Sequence, residues 1–112
     1  MADDEVKVYR MLAARLNFMA QDNPAIQFAA KEVCRGMARP AAEDFKAIKK
    51  LVRYLIGIEE VKWQFPWQDA CEAAVVRVFA DNDWAGCTES RRSTTGGLDM
   101  LGRHPVRTWA TT

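Results

Sequence analysis

Two aspartates two residues apart, Asp81 and Asp83, close the apolar run Val75 to Ala80. They lead into Trp84-Ala85-Gly86 and then Arg91-Arg92-Ser93-Thr94-Thr95-Gly96-Gly97. On an extended backbone residues i and i+2 point to one side, so the two carboxylates could converge on a hard cation such as Mg2+. A cation held there can activate water and neutralise a phosphoryl transition state. On spacing alone the plainer reading is a turn, because Asp and Asn gather at strand ends for their local hydrogen bonding. Arg91 and Arg92 fit either a phosphate clamp or a counterweight to Glu89 and the nearby carboxylates.

A second set of residues is basic. Lys46, Lys49, Lys50 and Arg53 fall in one arc of a helical wheel, opposite Phe45, Ile48, Leu51, Val52 and Leu55. Lys31, Arg35 and Arg39 follow at i, i+4 and i+8. Such rows suit a phosphate backbone read without sequence preference, and they equally suit a solvated helix face. Trp63, Trp67, Trp84 and Trp109 lie on or beside expected strands and are read as core residues in preference to base-stacking platforms. His104, in Gly-Arg-His-Pro, reads as a turn residue in preference to a general base.

The elements that must position these groups follow from periodicity. Tyr9, Leu12, Leu16 and Met19 recur at helical spacing between about Val6 and Gln21, with Met11 and Phe18 widening the stripe and Asp3, Asp4 and Glu5 at the first turn. Asn23-Pro24 caps and starts a second helix with Ile26, Ala29, Ala30, Val33 and Met37 inward. Arg39-Pro40 precedes a third, ended by Gly57 as its C-terminal cap. The period then becomes two. A strand is expected over Val61 to Phe65, another over Val75 to Ala80, then Thr94 to Gly102 and Val106 to Ala110, with a turn at Arg103-His104-Pro105. Residues 67–74 are ambiguous, and Cys71 to Ala74 could begin the second strand early. Short connections imply an antiparallel meander. The fold class is therefore α+β, a three-helix N-terminal half followed by a small antiparallel sheet.

Composition narrows the class. The chain has 112 residues, enough for one domain or two fused fragments, with 49% hydrophobic and 28% charged residues and no apolar run long enough for a membrane helix. The acidic start argues against a secretory signal, and three cysteines without a C-x-x-C pair argue against a zinc site or disulfide framework. An intracellular, reducing setting is expected, in cytoplasm or nucleus. The net charge of +1 divides into +3 over residues 1–57 and −2 over residues 58–112, so a polyanion would meet the first half.

Taken together these segments resemble the Pol polyprotein of copia-type LTR retrotransposons, where the C-terminal part of the reverse transcriptase runs into the RNase H domain. Tyr9-Arg10 with Leu16-Asn17-Phe18-Met19-Ala20 is followed by Asn23-Pro24-Ala25-Ile26-Gln27-Phe28-Ala29, similar to the family's R-P-D-I-x-F-A. Lys49 to Gly57 is similar to K-R-x-L-R-Y-L-x-G. Asp81-Asn82-Asp83-Trp84-Ala85-Gly86 with Arg91 to Gly96 is similar to D-x-D-W-A-G with R-R-S-T-S-G, and Val106 to Thr111 to V-x-W-x-S.

The resemblance implies that residues 1–57 are a thumb- or connection-like helical region. Residues 58–112 would be a linker strand and the first three strands of an incomplete RNase H-like fold. It implies nucleic-acid binding, to an RNA–DNA hybrid, through Lys46, Lys49, Lys50, Arg53, Arg91 and Arg92. Asp81, with Asp83 beside it, would be the metal ligand of a partial RNase H catalytic site taking Mg2+, and the remainder of the Pol polyprotein would be a partner. The polymerase carboxylates would lie before Met1 and the other RNase H carboxylates beyond Thr112, so a catalytically incomplete fragment is expected. The family activity is RNA-directed DNA polymerase and ribonuclease H, and whether this chain is an enzyme stays open. Asp99 stands where the family places an apolar residue, which would weaken its strand. Asn23 and Ala25 depart from the family's Arg and Asp. The alternative is a small non-catalytic interaction or structural protein.

Overall fold

The computed structural model describes residues 2–112. The chain divides into two compact units, the first running to Val61 and the second from Lys62 to Thr112.

The first unit is helical. Helix α1, Asp3–Ala20, starts with its first-turn carboxylates in place, the Glu5 side chain accepting the Ala2 N–H at 3.0 Å. The backbone bonds of Gln21 and Asp22 to the last carbonyls end it. Asn23 caps as its position suggests: its Oδ1 accepts the Ala25 N–H at 3.2 Å and opens a 3-10 turn, Pro24–Ile26, that leads into helix α2, Gln27–Arg35. Helix α3, Ala42–Gly57, begins with Asp44 reaching back to the Ala41 N–H at 2.7 Å. Gly57 is the last helical residue and carries no positive φ. The chain leaves through Ile58 at φ −129°, ψ 87°, so no left-handed cap is required.

The core lies between these helices. Tyr9, Ala13, Leu16 and Ala20 of α1 face Ile26, Ala30 and Val33, with Ile48 and Leu51 from α3. The buried stripe of α1 is thus rotated from the expected one. Met11, Met19 and Phe18 are exposed, Phe18 by 71%, and two alanines take their place inward. Small side chains let α2 approach closely enough for the Cys34 thiol to reach the Ala13 carbonyl at 3.7 Å. Tyr9 is the centre: its hydroxyl donates to the Val33 carbonyl at 2.6 Å and its ring meets Phe45 edge-on at 5.4 Å.

The second unit is built on a three-stranded antiparallel sheet in the order β1-β2-β3: β1 Val76–Asn82, β2 Thr95–Leu101, β3 His104–Thr111. With four α-helices among the described residues, this is the expected α+β arrangement. The expected strand over Val61 to Phe65 is not formed. No strand pairs with it, and without a ladder its alternation yields only an extended segment in which Trp63 and Phe65 stack at 6.4 Å. The ambiguous stretch forms a single helical turn, α4, Ala70–Ala73, capped by the Asp69 carboxylate on the Glu72 N–H at 2.8 Å. Asp99, expected to weaken its strand, sits in β2 directly opposite Arg107, where opposite charges suit a cross-strand pair. Val106 is the extra residue of a bulge between Arg107 and Pro105.

The tryptophans are not core. No hydrophobic side chain of this unit is buried, and Trp67 and Trp84 are 83% and 94% exposed. The cause is that no second layer covers the sheet within this unit, and apolar residues on strands need such a layer to become core. Trp109 is half-buried for a local reason. It lies across Gly97, where a Cβ would meet its ring carbons at 2.1 Å, and Arg107 stacks on its ring at 5.6 Å.

Candidate nucleic-acid interface and acidic strand end

On α3 the arc of cations is as the wheel places it: Lys46, Lys49, Lys50 and Arg53 are all exposed, while Ile48 and Leu51 are buried on the other side. Lys46 is bound to Glu43 one turn earlier at 2.7 Å. Lys49, Lys50 and Arg53 enter no ion pair among the described residues. The row on α2 differs, because Lys31 and Arg35 converge on Glu32 at 2.8 and 3.0 Å. Burial pushes the Glu32 carboxyl up, but the hydrogen bond and charge of Lys31, with Arg35, outweigh it and hold the group below the usual carboxylate range. Arg10, Arg15 and Arg39 also enter no ion pair among the described residues, but on α3 three such cations, Lys49, Lys50 and Arg53, share one exposed arc.

In the second unit Asp81 lies within β1, paired with Gly96 across the ladder, and is exposed. Its Oδ1 accepts the neighbouring Asn82 N–H at 3.0 Å. Asp83 stands just past the strand and is spent differently. Its N–H donates to the Thr94 carbonyl at 3.0 Å, and its Oδ1 accepts the Thr94 N–H in a short hydrogen bond. It thereby closes the mouth of the loop 84–93. A Cβ at Gly86 would lie 2.0 Å from Asp83 Oδ2, so a side chain there would have to displace the Asp83 carboxylate from Thr94. Arg91 and Arg92 are exposed and set by the loop's backbone: Arg91 N–H donates to the Cys87 carbonyl at 2.8 Å, and Cys87 N–H to the Arg92 carbonyl at 3.2 Å. Ala85 and Arg91 take φ of 51° and 56° within this loop. Among the described residues no three His, Cys, Asp or Glu side chains are grouped to hold a metal ion. The Asp83 bond predicts that Asp83→Ala speeds exchange of the Thr94 amide by about tenfold, the loss of one charge-assisted hydrogen bond. Hydrogen exchange read by NMR checks this, and exchange unchanged from wild type would show the bond unimportant.

Sequence reasoning missed a clasp around His104. The Gln68 side chain donates to His104 Nδ1 at 3.1 Å and to the Leu101 carbonyl at 3.0 Å, while its Oε1 accepts the Arg103 N–H at 2.8 Å. Those last two partners fix which end of the amide is which, so Nδ1 must accept. His104 Nε2 then carries the proton and donates to the Pro66 carbonyl at 2.6 Å. Arg103 adds bonds to the Trp67 carbonyl at 2.8 Å and to Glu72 at 3.3 Å. The ring is thus a half-buried structural group. No local spacing signals it, because its partners lie about 36 residues away.

Comparison with curated proteins finds relatives over most of the chain. An uncharacterized mitochondrial protein of Arabidopsis thaliana is 34% identical over 94 residues, covering 84% of this chain and 38% of that protein. The retrovirus-related Pol polyproteins from transposons RE2 and RE1 of the same plant are 28% and 29% identical over 98 residues, 88% of this chain and 6% of each polyprotein. The chain therefore spans well under half the length of these relatives. No family model and no solved structure matches. No helix among the described residues is long and apolar enough to cross a membrane.

Proposed function

Because this chain is a relative of the retrovirus-related Pol polyproteins of transposons, we infer that it is a nucleic-acid-binding piece of a copia-type Pol polyprotein. In this reading the helical unit is a thumb- or connection-like region that grips an RNA–DNA hybrid through α3, and the sheet is the start of an RNase H-like domain. The observation that carries it is the triad Lys49, Lys50 and Arg53, exposed on one face of a helix with no acidic partner among the described residues. Cations left unpaired keep their full attraction for phosphate and release counterions on binding. Lys46, half neutralised by Glu43, would add less, and Arg91 and Arg92 would touch the backbone separately.

Asp81 is the residue to which the family's metal role carries over, with Mg2+ as the ion. The fit is poor as the residues stand: Asp83 is occupied with Thr94, so Asp81 offers one carboxylate where such an ion wants near-octahedral oxygen. The chain is accordingly a binder of the hybrid without cleaving it.

Titration of a fluorescent RNA–DNA hybrid at several salt concentrations tests this. Binding is expected to fall steeply with salt. In Lys49→Glu/Lys50→Glu the affinity should drop by at least about tenfold, and the magnitude of the log–log salt slope by about 2, one per lost phosphate contact. Salt-insensitive binding, or a double variant that binds like wild type, overturns the reading in favour of a non-catalytic interaction protein. Cleavage of the hybrid in Mg2+ that is lost in Asp81→Asn would overturn the inactive part alone.

A further inference from the structure

The clasp around His104 is closed by a chain of donors and acceptors that only one protonation state completes. Gln68 spends its NH2 group on His104 Nδ1 at 3.1 Å and on the Leu101 carbonyl at 3.0 Å, and its Oε1 on the Arg103 N–H at 2.8 Å. Leu101 and Arg103 offer backbone groups on either side of Gly102, whose own N–H is bound to the Val75 carbonyl at 2.7 Å, so the turn cannot exchange them. Nδ1 is therefore needed as a bare acceptor. Nε2, on the Pro66 carbonyl at 2.6 Å, is the ring's one donor.

A second proton on the ring has no acceptor in this arrangement. Added at Nδ1, it faces the Gln68 NH2, donor against donor. Turning the amide over brings Oε1 to the new N–H, but it also sets the NH2 against the Arg103 N–H and Oε1 against the Leu101 carbonyl, replacing one mismatch by two. Turning the ring over does not help, since an imidazolium has two donors and the only carbonyl bound to the ring is that of Pro66. The charged groups on the elements that meet here are Lys62 on the extended segment, Asp69 and Glu72 of α4, Asp99 on β2, and Arg103 and Arg107 on the hairpin itself. Asp69 caps α4, Glu72 holds Arg103 at 3.3 Å and Asp99 stands opposite Arg107, so no carboxylate is in place to receive a proton from Nδ1.

We propose that the clasp is a latch worked by a single proton: neutral His104 holds residues 66–68 on the β2–β3 hairpin, and uptake of a proton from solvent at Nδ1 releases them. Two further contacts of the extended segment depend on the same turn. The Phe65 ring meets the His104 ring edge-on at 5.4 Å, and the Trp67 carbonyl accepts from Arg103 at 2.8 Å. Release therefore loosens the stretch that bears Phe65 and Trp67 from the sheet. The sign follows from which form the closed latch accepts. Closed, it binds no proton at Nδ1; open, it can, so acid opens the latch and alkali closes it. Its other members are backbone groups and an amide, which do not titrate, whereas histidine changes charge between pH 5 and 8.

NMR of the full chain at the two ends of that range, pH 8 and pH 5, is the test. In alkali the ring nitrogens should show a proton on Nε2 and none on Nδ1. In acid the ring should carry both, and the protection factor of the Arg103 amide, which already allows for the intrinsic pH dependence of exchange, should fall by about tenfold. Asp83, whose N–H bonds the Thr94 carbonyl at the far end of the sheet, should keep its protection. Gln68→Glu should invert the dependence, because two carboxylate oxygens can accept from Nδ1–H and from Arg103 at once. Arg103 in that variant should be better protected in acid than in alkali. A proton on Nδ1 in alkali, a ring still neutral in acid, or an imidazolium with Arg103 as protected as before overturns the proposal. Equal loss at Asp83 overturns it as well, since the sheet would then have melted instead of unlatching, and so does a Gln68→Glu chain that keeps the wild-type sign. Should Gln68→Glu fail to fold, His104→Phe decides. Its ring takes up no proton, so Arg103 protection should be the same at both ends of the range, and a fall like that of wild type would assign the dependence to another group and overturn the latch.

Discussion

Tyr9→Ala is expected to unfold the helical unit, with a loss of about 3–5 kcal/mol, the range for truncating a large aromatic in a packed core. Tyr9 has no exposed surface. Its ring supports Phe45 of α3, its hydroxyl holds the end of α2 through Val33, and Gly36 lies so close that a Cβ there would be 2.6 Å from the hydroxyl. One side chain therefore ties all three helices. A unit of some sixty residues has a total stability on the order of 3–9 kcal/mol, so a loss of this size removes most or all of it. Urea denaturation followed by circular dichroism at 222 nm reads the outcome, and a midpoint within experimental error of wild type would show that the core does not turn on this residue.

The hydroxyl adds a pH signature. Burial first, then the charges of Asp44 and Cys34, push the Tyr9 phenol up from 10.0 to about 12. A group whose folded value is raised stabilises the fold fully below the unfolded value and loses that contribution as pH rises through the folded one. Stability should thus decline between pH 10 and about 12, and Tyr9→Phe should flatten that decline at a cost of about 1 kcal/mol at neutral pH, since Val33 keeps the Gly36 N–H on its carbonyl.

Gly102→Val is the second large effect, expected to open the β2–β3 hairpin at a cost of about 3 kcal/mol or more. Gly102 has φ +60°, where a β-branched residue is strained, and it is the sheet unit's only buried residue. A Cβ there would lie 2.2 Å from Gln68 Oε1 and 2.6 Å from the Glu72 carbonyl. The second of these is backbone and cannot step aside. The side chain would also expel the amide that orients His104. Gly96→Ala is the control, because its Cβ would meet nothing nearer than the Trp109 carbonyl at 3.7 Å. Amide exchange of β2 and β3 should lose protection in Gly102→Val and change little in Gly96→Ala. Protection kept in the valine variant would contradict the geometry.

What could be read from the sequence was what period and punctuation encode. The Asn23 cap, the first-turn carboxylates, the basic arc on α3 and the β2–β3 hairpin were visible because each depends on residues a few positions apart. The strand expected at Val61 to Phe65 was not, since alternation is necessary for a strand but a neighbour must supply its hydrogen bonds. The tryptophans were misplaced for the same reason: whether a strand residue is buried depends on a layer that its own sequence does not describe. On α1 hydrophobicity pointed to Met11, Phe18 and Met19, whereas close helix packing favoured Ala13 and Ala20. At the site, the pairing of Lys31 and Arg35 with Glu32, and of Asp83 with Thr94, separates groups that composition makes equivalent. His104 was legible only as a turn residue because its role lies entirely in remote partners.

Those remote partners make the Gln68–His104–Pro66 clasp a reversible staple. It closes a ring of about 36 to 38 residues through side-chain hydrogen bonds instead of a covalent link. Once the ends of such a ring are held, the entropy of closing it grows only as the logarithm of its length, and doubling it costs about 0.6 kcal/mol. The tip of the 84–93 loop, inside that ring, can therefore lengthen at little thermodynamic expense. Selection on this region would act through the stapling residues far outside the loop, leaving its tip free to diverge.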